Sequence, residues 1–555
     1  MARGTLKRIS FLAFVLIAPF LSGSLLGQAP FARYRNDQKR EVVSVGQAVF
    51  PPPIDGKVRV TERQVVEMAL THNFDINLQR SAVLGQRWRI DQLRGYYDPQ
   101  FTFSLNWDRE KTPAASVLQG GPSLTNILTT GTSGYVQTFP TGSSLEATFS
   151  GVRNRTTSFF NSLVPAINTQ FEVVFRQNLL EGFGRIGQEY QIQIARNDGQ
   201  TSEQEFRRLA TDVILQVQDR YWELEYALRD ADVKEKSLQL AKTVLEQNRA
   251  RYGVGTASRL EVVQAEAEAA LRQEELIRSK YNYRLVQDQL VQLVSNFEDP
   301  RQFPGDLVPA DPVARPDIVR RSFEELKEEA LKARPEVEQA RLDLDSQKVS
   351  LNLTRNRLRP NLDLVAGYQQ FGLGGTLVER DFSQGLFNPP VVAVIPGGVG
   401  DSLDQMFSAD YYGYMLGLTL QLPIFNQEAR AANAQAQISV DQAKLREERV
   451  RQLIAVQLRE ALTRVDMNRA SLEAGEAAVR SAQERLVAEE ARFEAGMSTT
   501  REIIEAQRDL LLAETTRLRA EIDLIKSHAL LDKATGQTFD RFGFQVVDAL
   551  RRNVK

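Results

Sequence analysis

Apolar and polar residues alternate in several short stretches of the chain, and this alternation predicts β-strands with one apolar and one polar face. In the first stretch, Phe103 and Leu105 alternate with Ser104 and Asn106. The stretches are residues 101–108, 170–176, 362–369 and 413–421. Such a sheet is either half buried in a soluble domain or part of a membrane barrel with a wet lumen. In a barrel, we expect Phe103, Leu105, Leu416 and Leu418 to face lipid.

A second pattern, with a period of seven residues, runs through residues 262–290 and 503–531 and predicts helices that pack as coiled coils. Each of these stretches follows a longer helical one, predicted over residues 187–252 and 427–493, so we expect two helical hairpins. A helix of about 65 residues is roughly 100 Å long. Arg272 and Arg517 fall on the seams, which predicts that one flank of the coiled coil is wet.

An internal duplication underlies both patterns. Residues 251–255 (RYGVG) correspond to residues 492–496 (RFEAG) at an offset of 241 residues. Residues 69–73 (ALTHN) correspond to residues 330–334 (ALKAR) at an offset of 261 residues. Two copies of one unit are therefore present, and the first is longer in its middle by about 20 residues, since 261 − 241 = 20. Copies of this kind usually pack as equivalent units.

The ends of the copies define the predicted domains. Lys7 and Arg8 precede an apolar run that ends near Ala29, as in a secretory signal peptide, and a retained membrane anchor is the alternative. The predicted segments are a signal peptide at 1–29, an N-terminal linker at 30–60, the first repeat at 61–295, an inter-repeat linker at 296–317, the second repeat at 318–540 and a C-terminal tail at 541–555.

Within each repeat, the order helix, strands, long helix, helix is expected. Capping boxes (Thr61 with Gln64, Ser322 with Glu325) mark the first helices, predicted over residues 61–95 and 322–358. The stretches 111–134 and 372–409 are rich in Gly, Ser and Pro, and we interpret them as long loops. Residues 135–149 predict an extra hairpin in the first repeat, and its place in a barrel stays open.

The composition argues against an enzyme. The chain has 555 residues, no cysteine, two histidines and a net charge of −2. Without cysteine there is no disulfide, thiolate metal site or cysteine nucleophile, and two distant histidines offer little acid–base chemistry. We therefore expect no cofactor and no bound metal. A balanced charge also gives no electrostatic drive for nucleic-acid binding.

The duplicated hairpin tips resemble those of the TolC-like outer-membrane efflux proteins. Each tip is followed by the acidic-then-apolar helix start of that family, residues 261–263 (EVV) and 502–504 (EII). Residues 530–536 (LLDKATG) and 421–425 (QLPIF) are also similar to the family, and the resemblance covers about residues 61–540. Many relatives carry a lipidated cysteine near the mature N-terminus, and this sequence has no cysteine for one.

The resemblance implies a mixed α+β membrane protein. Long antiparallel α-helical hairpins would form an α-barrel, and amphipathic strands, four from each chain, would contribute to a trimeric transmembrane β-barrel. The implied protein is a homotrimer in the cell outer membrane that extends into the periplasm. It would be the passive exit duct of a tripartite efflux or type I secretion system, with a periplasmic adaptor (membrane fusion) protein and an inner-membrane pump as partners. The cargo is not implied.

The resemblance also implies site residues. Gly255, Thr256, Gly496 and Ser498 at the hairpin tips would dock the adaptor. Relatives close the tunnel with a ring of acidic residues past the tips, and the matching positions here are Glu261, Glu502 and Glu505. Crowded carboxylates would raise their own pKa values and attract cations. The family's tyrosine and arginine tethers are replaced by Phe493 and Ser498, with Arg501 the candidate substitute.

Two other classes of protein remain as alternatives. A periplasmic coiled-coil adaptor also uses helical hairpins, but adaptors usually carry one hairpin flanked by compact β domains. A structural envelope protein would need the coiled coils and not the amphipathic strands. For the acidic residues, the alternative is ordinary solvated charge on a helix surface.

Overall fold

The computed structural model describes residues 48, 50–114, 122–158, 160–299, 303, 305–313, 321–383 and 389–544. The predicted signal peptide at 1–29 lies outside these residues, as do most of the linker at 30–60 and most of the tail at 541–555. In the described parts of the chain, no helix combines the length and the apolarity that crossing a bilayer requires.

The elements follow the predicted order in each repeat. In chain order they are β1 (Lys57–Val60), α1 (Glu62–His72), α2 (Phe74–Arg94), β2 (Gln100–Pro113), β3 (Ser123–Thr138), β4 (Ser143–Thr156), β5 (Leu163–Asn178), α3 (Arg185–Gln188), α4 (Tyr190–Gly253), α5 (Arg259–Val294), β6 (Asp306–Pro309), α6 (Phe323–Ala333), α7 (Pro335–Asn356), β7 (Asn361–Arg380), β8 (Val391–Ile395), α8 (Val399–Phe407), β9 (Tyr412–Gln421), α9 (Gln427–Glu494), α10 (Thr500–Thr535) and α11 (Thr538–Phe542). A 3₁₀ turn, Gly95–Tyr97, follows α2.

These elements fall into two compact units. The sheet unit comprises the described residues of Trp88–Arg196 and Ser346–Val440, and the helical unit comprises the remaining described residues. The units cut across the two repeats, because each repeat contributes strands to one unit and helical hairpin to the other.

The first predicted helix of each repeat is broken into two helices at equivalent positions. Asn73 and Arg334 both have extended backbones, with ψ of 132° and 126°. At Asn73 the side-chain oxygen accepts hydrogen bonds from the backbone N–H groups of Asp75 and Ile76, which caps α2. At Arg334 the following Pro335 disfavours the helical conformation. Both capping boxes are present, so those two predictions are confirmed.

The two helical hairpins form as predicted. Helices α4 and α9 have 64 and 68 residues, and the returning helices α5 and α10 have 36 each. Seam residues such as Leu276, Leu290, Leu510 and Leu524 are buried. The interpretation of Arg272 as a wet seam position is wrong, because its side chain is only 7% exposed and pairs with Glu268 and Glu275 at 2.6 and 2.8 Å. The Arg272 guanidinium can be buried because the carboxylates of Glu268 and Glu275 pair with its charge and accept its hydrogen bonds.

The linkers carry more structure than predicted. Strand β1, at the end of the 30–60 linker, pairs in parallel with β6, which lies in the 296–317 linker. Tyr221 of α4 donates a hydrogen bond to the carbonyl oxygen of Val60 at 3.2 Å, and Tyr283 of α5 donates one to that of Leu307 at 2.7 Å. The short sheet is therefore fixed to the helical core and is not a free connection.

The sheet unit contains one antiparallel sheet of seven strands in the order β2-β3-β4-β5-β7, with β9 and the short β8 both pairing with β7. The residues that we interpreted as long loops contain regular structure, mainly strand in 111–134 and both strand and helix in 372–409. Strand β2 extends to Pro113 and β3 begins at Ser123, while residues 372–409 contain the end of β7, then β8 and α8.

The extra hairpin of the first repeat is fully part of this sheet. Strands β3 and β4 have 16 and 14 residues and lie between β2 and β5, so the sheet has six strands of ten or more residues. The four strands per chain implied by the resemblance are therefore too few. A closed barrel needs partners, because β2 and β9 are edge strands in the single chain.

Candidate functional site

On β2, β4, β5, β7 and β9 the sheet has a mainly apolar and a mainly polar face, whereas β3 carries polar residues on both. One ladder row joins Phe103, Ser133, Phe149, Phe171, Gln370 and Tyr412. Side chains in one row share a face, and alternate residues along a strand share it too. We call the face of Phe103 the apolar face and that of Ser104 the polar face. The apolar face carries Phe103, Leu105, Leu416 and Leu418 together, and all four side chains are exposed in the single chain.

The polar face holds the acidic side chains of β2, β4 and β5 and of β7 up to Gly374. They are Asp108, Glu110, Glu146, Glu172 and Asp363. One cation of these strands, Arg176, lies on the same face. Small residues such as Gly134 and Thr132 occupy the same face on β3. A face of this composition suits water, whereas the opposite face suits hydrocarbon.

Helix α8 packs against the apolar face near the end of the strands that is remote from the helices. Thr169 of β5 donates a hydrogen bond to the carbonyl oxygen of Ser402 at 3.0 Å. A Cβ atom at Gly372 would lie 1.8 Å from that same oxygen, so the close approach of α8 requires glycine there. Helix α8 therefore covers the apolar face at the level of Thr169 and Gly372.

Each hairpin tip turns on a glycine in the left-handed region, at φ of 78° for Gly255 and 71° for Gly496. The first tip, residues 252–258, exposes Val254 at 76%. The second tip, residues 493–499, exposes Met497 at 68%. The tips are thus exposed and carry one prominent apolar side chain each.

The flanking hydroxyl residues differ between the tips. Thr256 donates a hydrogen bond to the carbonyl oxygen of Arg251 at 3.1 Å and is exposed. Ser498 is half buried and hydrogen-bonds to the carboxylates of Glu489 and Glu502. A bulky residue at Ser498 would therefore disturb the tip itself, whereas one at Thr256 mainly changes its surface.

The three predicted gate carboxylates lie past the tips, but local partners hold each of them in the single chain. Glu261 interacts with Ser258, the N-cap of α5. Glu502 belongs to the capping box of α10 and accepts a hydrogen bond from the Thr499 N–H at 2.8 Å. Glu505 pairs with Arg501 at 3.1 Å.

The electrostatics of Glu502 differ from the expectation for a repelling cluster. The Thr499 N–H, the hydroxyls of Ser498 and Thr499 and the charge of Arg492 together hold the pKa of Glu502 below its ordinary value. In the single chain, capping donors therefore stabilise the carboxylate, and the raised pKa values expected of a threefold ring stay a prediction. In the single chain, Arg501 pairs within its own helix with Glu505, and its role as a substitute tether stays a prediction.

A different set of contacts joins the two hairpins next to the tips. The guanidinium of Arg251 lies 3.9 Å from the ring centroid of Phe493 and donates a hydrogen bond to the Phe493 carbonyl oxygen at 2.9 Å. Below it, Thr500 donates a hydrogen bond to the Asn248 side-chain oxygen at 3.2 Å. We call this set the tip clasp; it sits on a small core of Val244, Ala265, Phe493 and Ile503.

One turn further, a buried carboxylate bridges the returning helices. Glu268 of α5 is only 5% exposed and pairs with Arg272 and with Arg508 of α10. Burial opposes the charge of Glu268, but the hydrogen bond from Arg508 and the charges of both arginines outweigh it and lower its pKa. Sequence reasoning missed this bridge and the tip clasp. Arg251 and Phe493 stood in the repeated tip motif, but nothing in one sequence showed that they touch.

Comparisons with known proteins agree with this geometry. Residues 326–537 match the family described as "Outer membrane efflux protein". Over 515 residues the chain is 23% identical to "Outer membrane efflux protein BepC" of Brucella suis biovar 1 (strain 1330). This alignment covers 91% of this chain and 92% of that protein.

Solved structures share the fold. The outer-membrane channel OprN superposes with a TM-score of 0.60 at 16% identity, covering 86% of this chain and 90% of that one. The CmeC outer membrane channel of Campylobacter jejuni gives 0.59 at 15% identity, covering 89% and 90%. The resemblance drawn from the hairpin tips is confirmed: residues 326–537 match the outer membrane efflux protein family, and the chain has the fold of these solved outer-membrane channels.

Proposed function

We propose that this protein is the outer-membrane exit duct of a tripartite efflux or type I secretion system and conducts its cargo passively. The observation that carries the proposal is the sheet of six long strands with an apolar face, a polar face and two unpaired edges. An open sheet edge is not viable in lipid, so such a sheet in a membrane has to close with other copies.

The strand directions support closure by identical copies. Five antiparallel pairings link β2 to β9, and this odd number means that β2 and β9 run in opposite directions. The β9 edge of one copy can therefore pair antiparallel with the β2 edge of the next. Six strands alone fall below the eight of the smallest outer-membrane barrels.

The homotrimer implied by the resemblance would then have an eighteen-stranded barrel, since each chain supplies six long strands. Barrel diameter grows roughly linearly with strand number, so this barrel would be about one and a half times as wide as one of twelve strands. Barrels of 16–18 strands leave an aqueous channel. The polar face, with its five carboxylates, would line that channel.

The orientation follows from the connections. Strands β2 and β7 begin directly after helices, and β5 and β9 lead into helices, all at one end of the sheet. This end would face the periplasm, and the other end, with α8, would face outward. The hairpin tips would then meet a periplasmic adaptor, beyond which the inner-membrane pump lies.

The decisive experiment is native mass spectrometry of protein extracted from outer membranes with detergent, followed by recording of single channels in planar bilayers. We expect three chains per particle and a channel with the high conductance of a wide barrel. A monomer that is soluble without detergent, or a trimer without conductance, would refute the proposal.

Docking at the tips can be tested separately in an export assay. Val254→Arg, Met497→Arg and Thr256→Trp should each reduce export, because they change the exposed surface of a tip. Leu271→Arg is the matched control, since Leu271 is an exposed apolar residue of α5 away from the tip. Export that falls equally in the control, or not at all in the tip variants, would remove the docking role.

A further inference from the structure

Basic and acidic residues of the sheet are sorted between its two faces. On β2 and β4 the apolar face carries four cations, Arg109, Lys111, Arg153 and Arg155. All acidic residues of β2, β4 and β5, and Asp363 of β7, lie on the polar face, where Arg176 is the one cation of these strands. A random surface would mix the two signs, so the sorting itself needs an explanation.

The four cations form one compact cluster. Arg109 pairs with Ile127, which pairs with Arg155, so the two arginines share a row two strands apart, about 10 Å. Trp107 and Arg153 share the next row through Thr129. Lys111 follows Arg109 on the same face at about 7 Å. We call these four residues the cationic cluster.

The cluster lies where the apolar band ends. On β2 the apolar face runs Phe101, Phe103, Leu105 and Trp107, and Arg109 comes next toward the end remote from the helices. Followed across the sheet, the row of Gly151 leads to Thr169 on β5, and the row of Arg153 leads to Gly374 on β7. At both positions α8 covers the same face. Two independent features, the cationic cluster and the covering helix α8, thus mark the end of the apolar band.

Resting on the proposed orientation, we propose that the cationic cluster binds the phosphate groups of anionic lipid headgroups in the outward-facing leaflet. The hydrocarbon chains of such a lipid would lie on Phe103 and Leu105, and Trp107 would sit at the interface, as aromatic girdles do. Arginine suits phosphate because its planar group donates two hydrogen bonds at once. The cations of β2 and β4 can contact two phosphates of one headgroup across Ile127 and Thr129 of β3.

The structure offers a matched pair of variants on one strand. Arg109→Gln/Lys111→Gln removes two charges from the apolar face, and Asp108→Asn/Glu110→Gln removes two charges from the polar face at neighbouring positions. Both would be purified as full-length protein. A trimer in native mass spectrometry that still conducts in planar bilayers shows that the barrel is intact in each, and the size of the conductance is not used, because Asp108 and Glu110 would line the channel.

Binding is measured by native mass spectrometry with bis-phosphorylated lipid A, with lipid A lacking its phosphates, and with phosphatidylethanolamine. We expect lipid A to bind the unaltered protein best and the Arg109→Gln/Lys111→Gln variant at least about tenfold more weakly. The Asp108→Asn/Glu110→Gln variant should bind as the unaltered protein does. Replacing the three arginines by lysine should retain most of the binding, because the charges remain.

Two outcomes would overturn the inference. Equal binding of phosphorylated and dephosphorylated lipid A would mean that the acyl chains alone are recognised. Full competition by millimolar inorganic phosphate would mean a general anion site and no lipid site. If the unaltered protein conducts and either outcome is seen, only the lipid inference is refuted. If the unaltered protein does not conduct, the proposed function is refuted.

Discussion

At the scale of single residues, Arg251 makes the closest contact between the two hairpin tips. Its guanidinium stacks on the Phe493 ring and hydrogen-bonds to the carbonyl oxygen of the same residue. A cation–π contact of this kind contributes about 0.5–2 kcal/mol, and a hydrogen bond from a charged group about 1.5–3 kcal/mol. One side chain therefore links the first repeat to the second at the end where the tips are most exposed.

We expect Arg251→Ala to loosen the tip clasp and to speed amide hydrogen exchange in both tips by about tenfold or more. The control is Arg249→Ala, because Arg249 pairs only with Glu266 of its own hairpin among the contacts described, at 3.0 Å, and is half exposed. Similar exchange rates in the two variants would show that Arg251 is no more important than an ordinary surface arginine.

Glu268 predicts a pH dependence. Its pKa is lowered in the folded protein, so it contributes stability above its unfolded value near 4.5, and this contribution is lost as pH falls through the folded pKa. The apparent unfolding temperature should therefore fall more steeply below about pH 4.5 in the unaltered protein than in Glu268→Gln. Parallel pH profiles for the two proteins would contradict the assignment.

The acidic ring is testable with substitutions that preserve the helix cap. Glu502→Gln keeps a side chain that suits a capping box, and Glu505→Gln removes the second charge. If threefold symmetry gathers these carboxylates, the double variant should lose cation preference and block by multivalent cations in planar bilayers. Glu494→Gln, an exposed charge at the same tip, is the control. Unchanged selectivity would leave Glu502 and Glu505 as capping and surface residues.

At the scale of elements, β2 provides adjacent positions with opposite environments. Leu105 lies on the apolar face and Ser104 on the polar face, next to each other in sequence. Leu105→Arg should destabilise the membrane-inserted barrel by about 2–4 kcal/mol, whereas Ser104→Arg should be tolerated and should mainly change conductance. The measurement is urea-induced unfolding in lipid vesicles. Equal destabilisation by both substitutions would show that the sheet does not face lipid on one side.

The elements that sequence predicted best were those with a strong period. The helical hairpins and the strands β2, β5, β7 and β9 follow from apolar spacing. The first part of β3, residues 123–134, was predicted as a loop because its sequence, rich in Ser, Thr and Gly, alternates weakly, while its end was predicted as part of the extra hairpin. It is a strand because it has a neighbour on both sides, so backbone hydrogen bonds hold it without apolar side chains.

Side-chain partners were harder to predict than elements. The break at Arg334 was signalled by Pro335, whereas the break at Asn73 depends on an asparagine cap inside an apolar helical pattern. The burial of Arg272 depends on Glu268, and that of Glu268 on Arg508, 240 residues away. Contacts between the repeats produce no local pattern in a single sequence, so the contacts of the tip clasp could not be predicted from it.

At the scale of the whole molecule, the inserted hairpin sets the width of the proposed barrel. Removing β3 and β4 and joining β2 to β5 by a short loop should leave four long strands per chain. The trimer would then have twelve strands, and its conductance should fall by about half, because the diameter would decrease by about a third. Native mass spectrometry should still count three chains. An unchanged conductance would mean that the β-barrel does not limit ion flow.

The antiparallel pairing of the sheet also limits how such a channel can change in size. A hairpin adds two strands and leaves the edge strands antiparallel, so neighbouring chains still join. A single added strand would make the two edges parallel, so that neighbouring chains could no longer join by an antiparallel pair. While every pairing stays antiparallel, the calibre of the proposed pore is therefore quantised: it changes by two strands per chain, and by six per trimer.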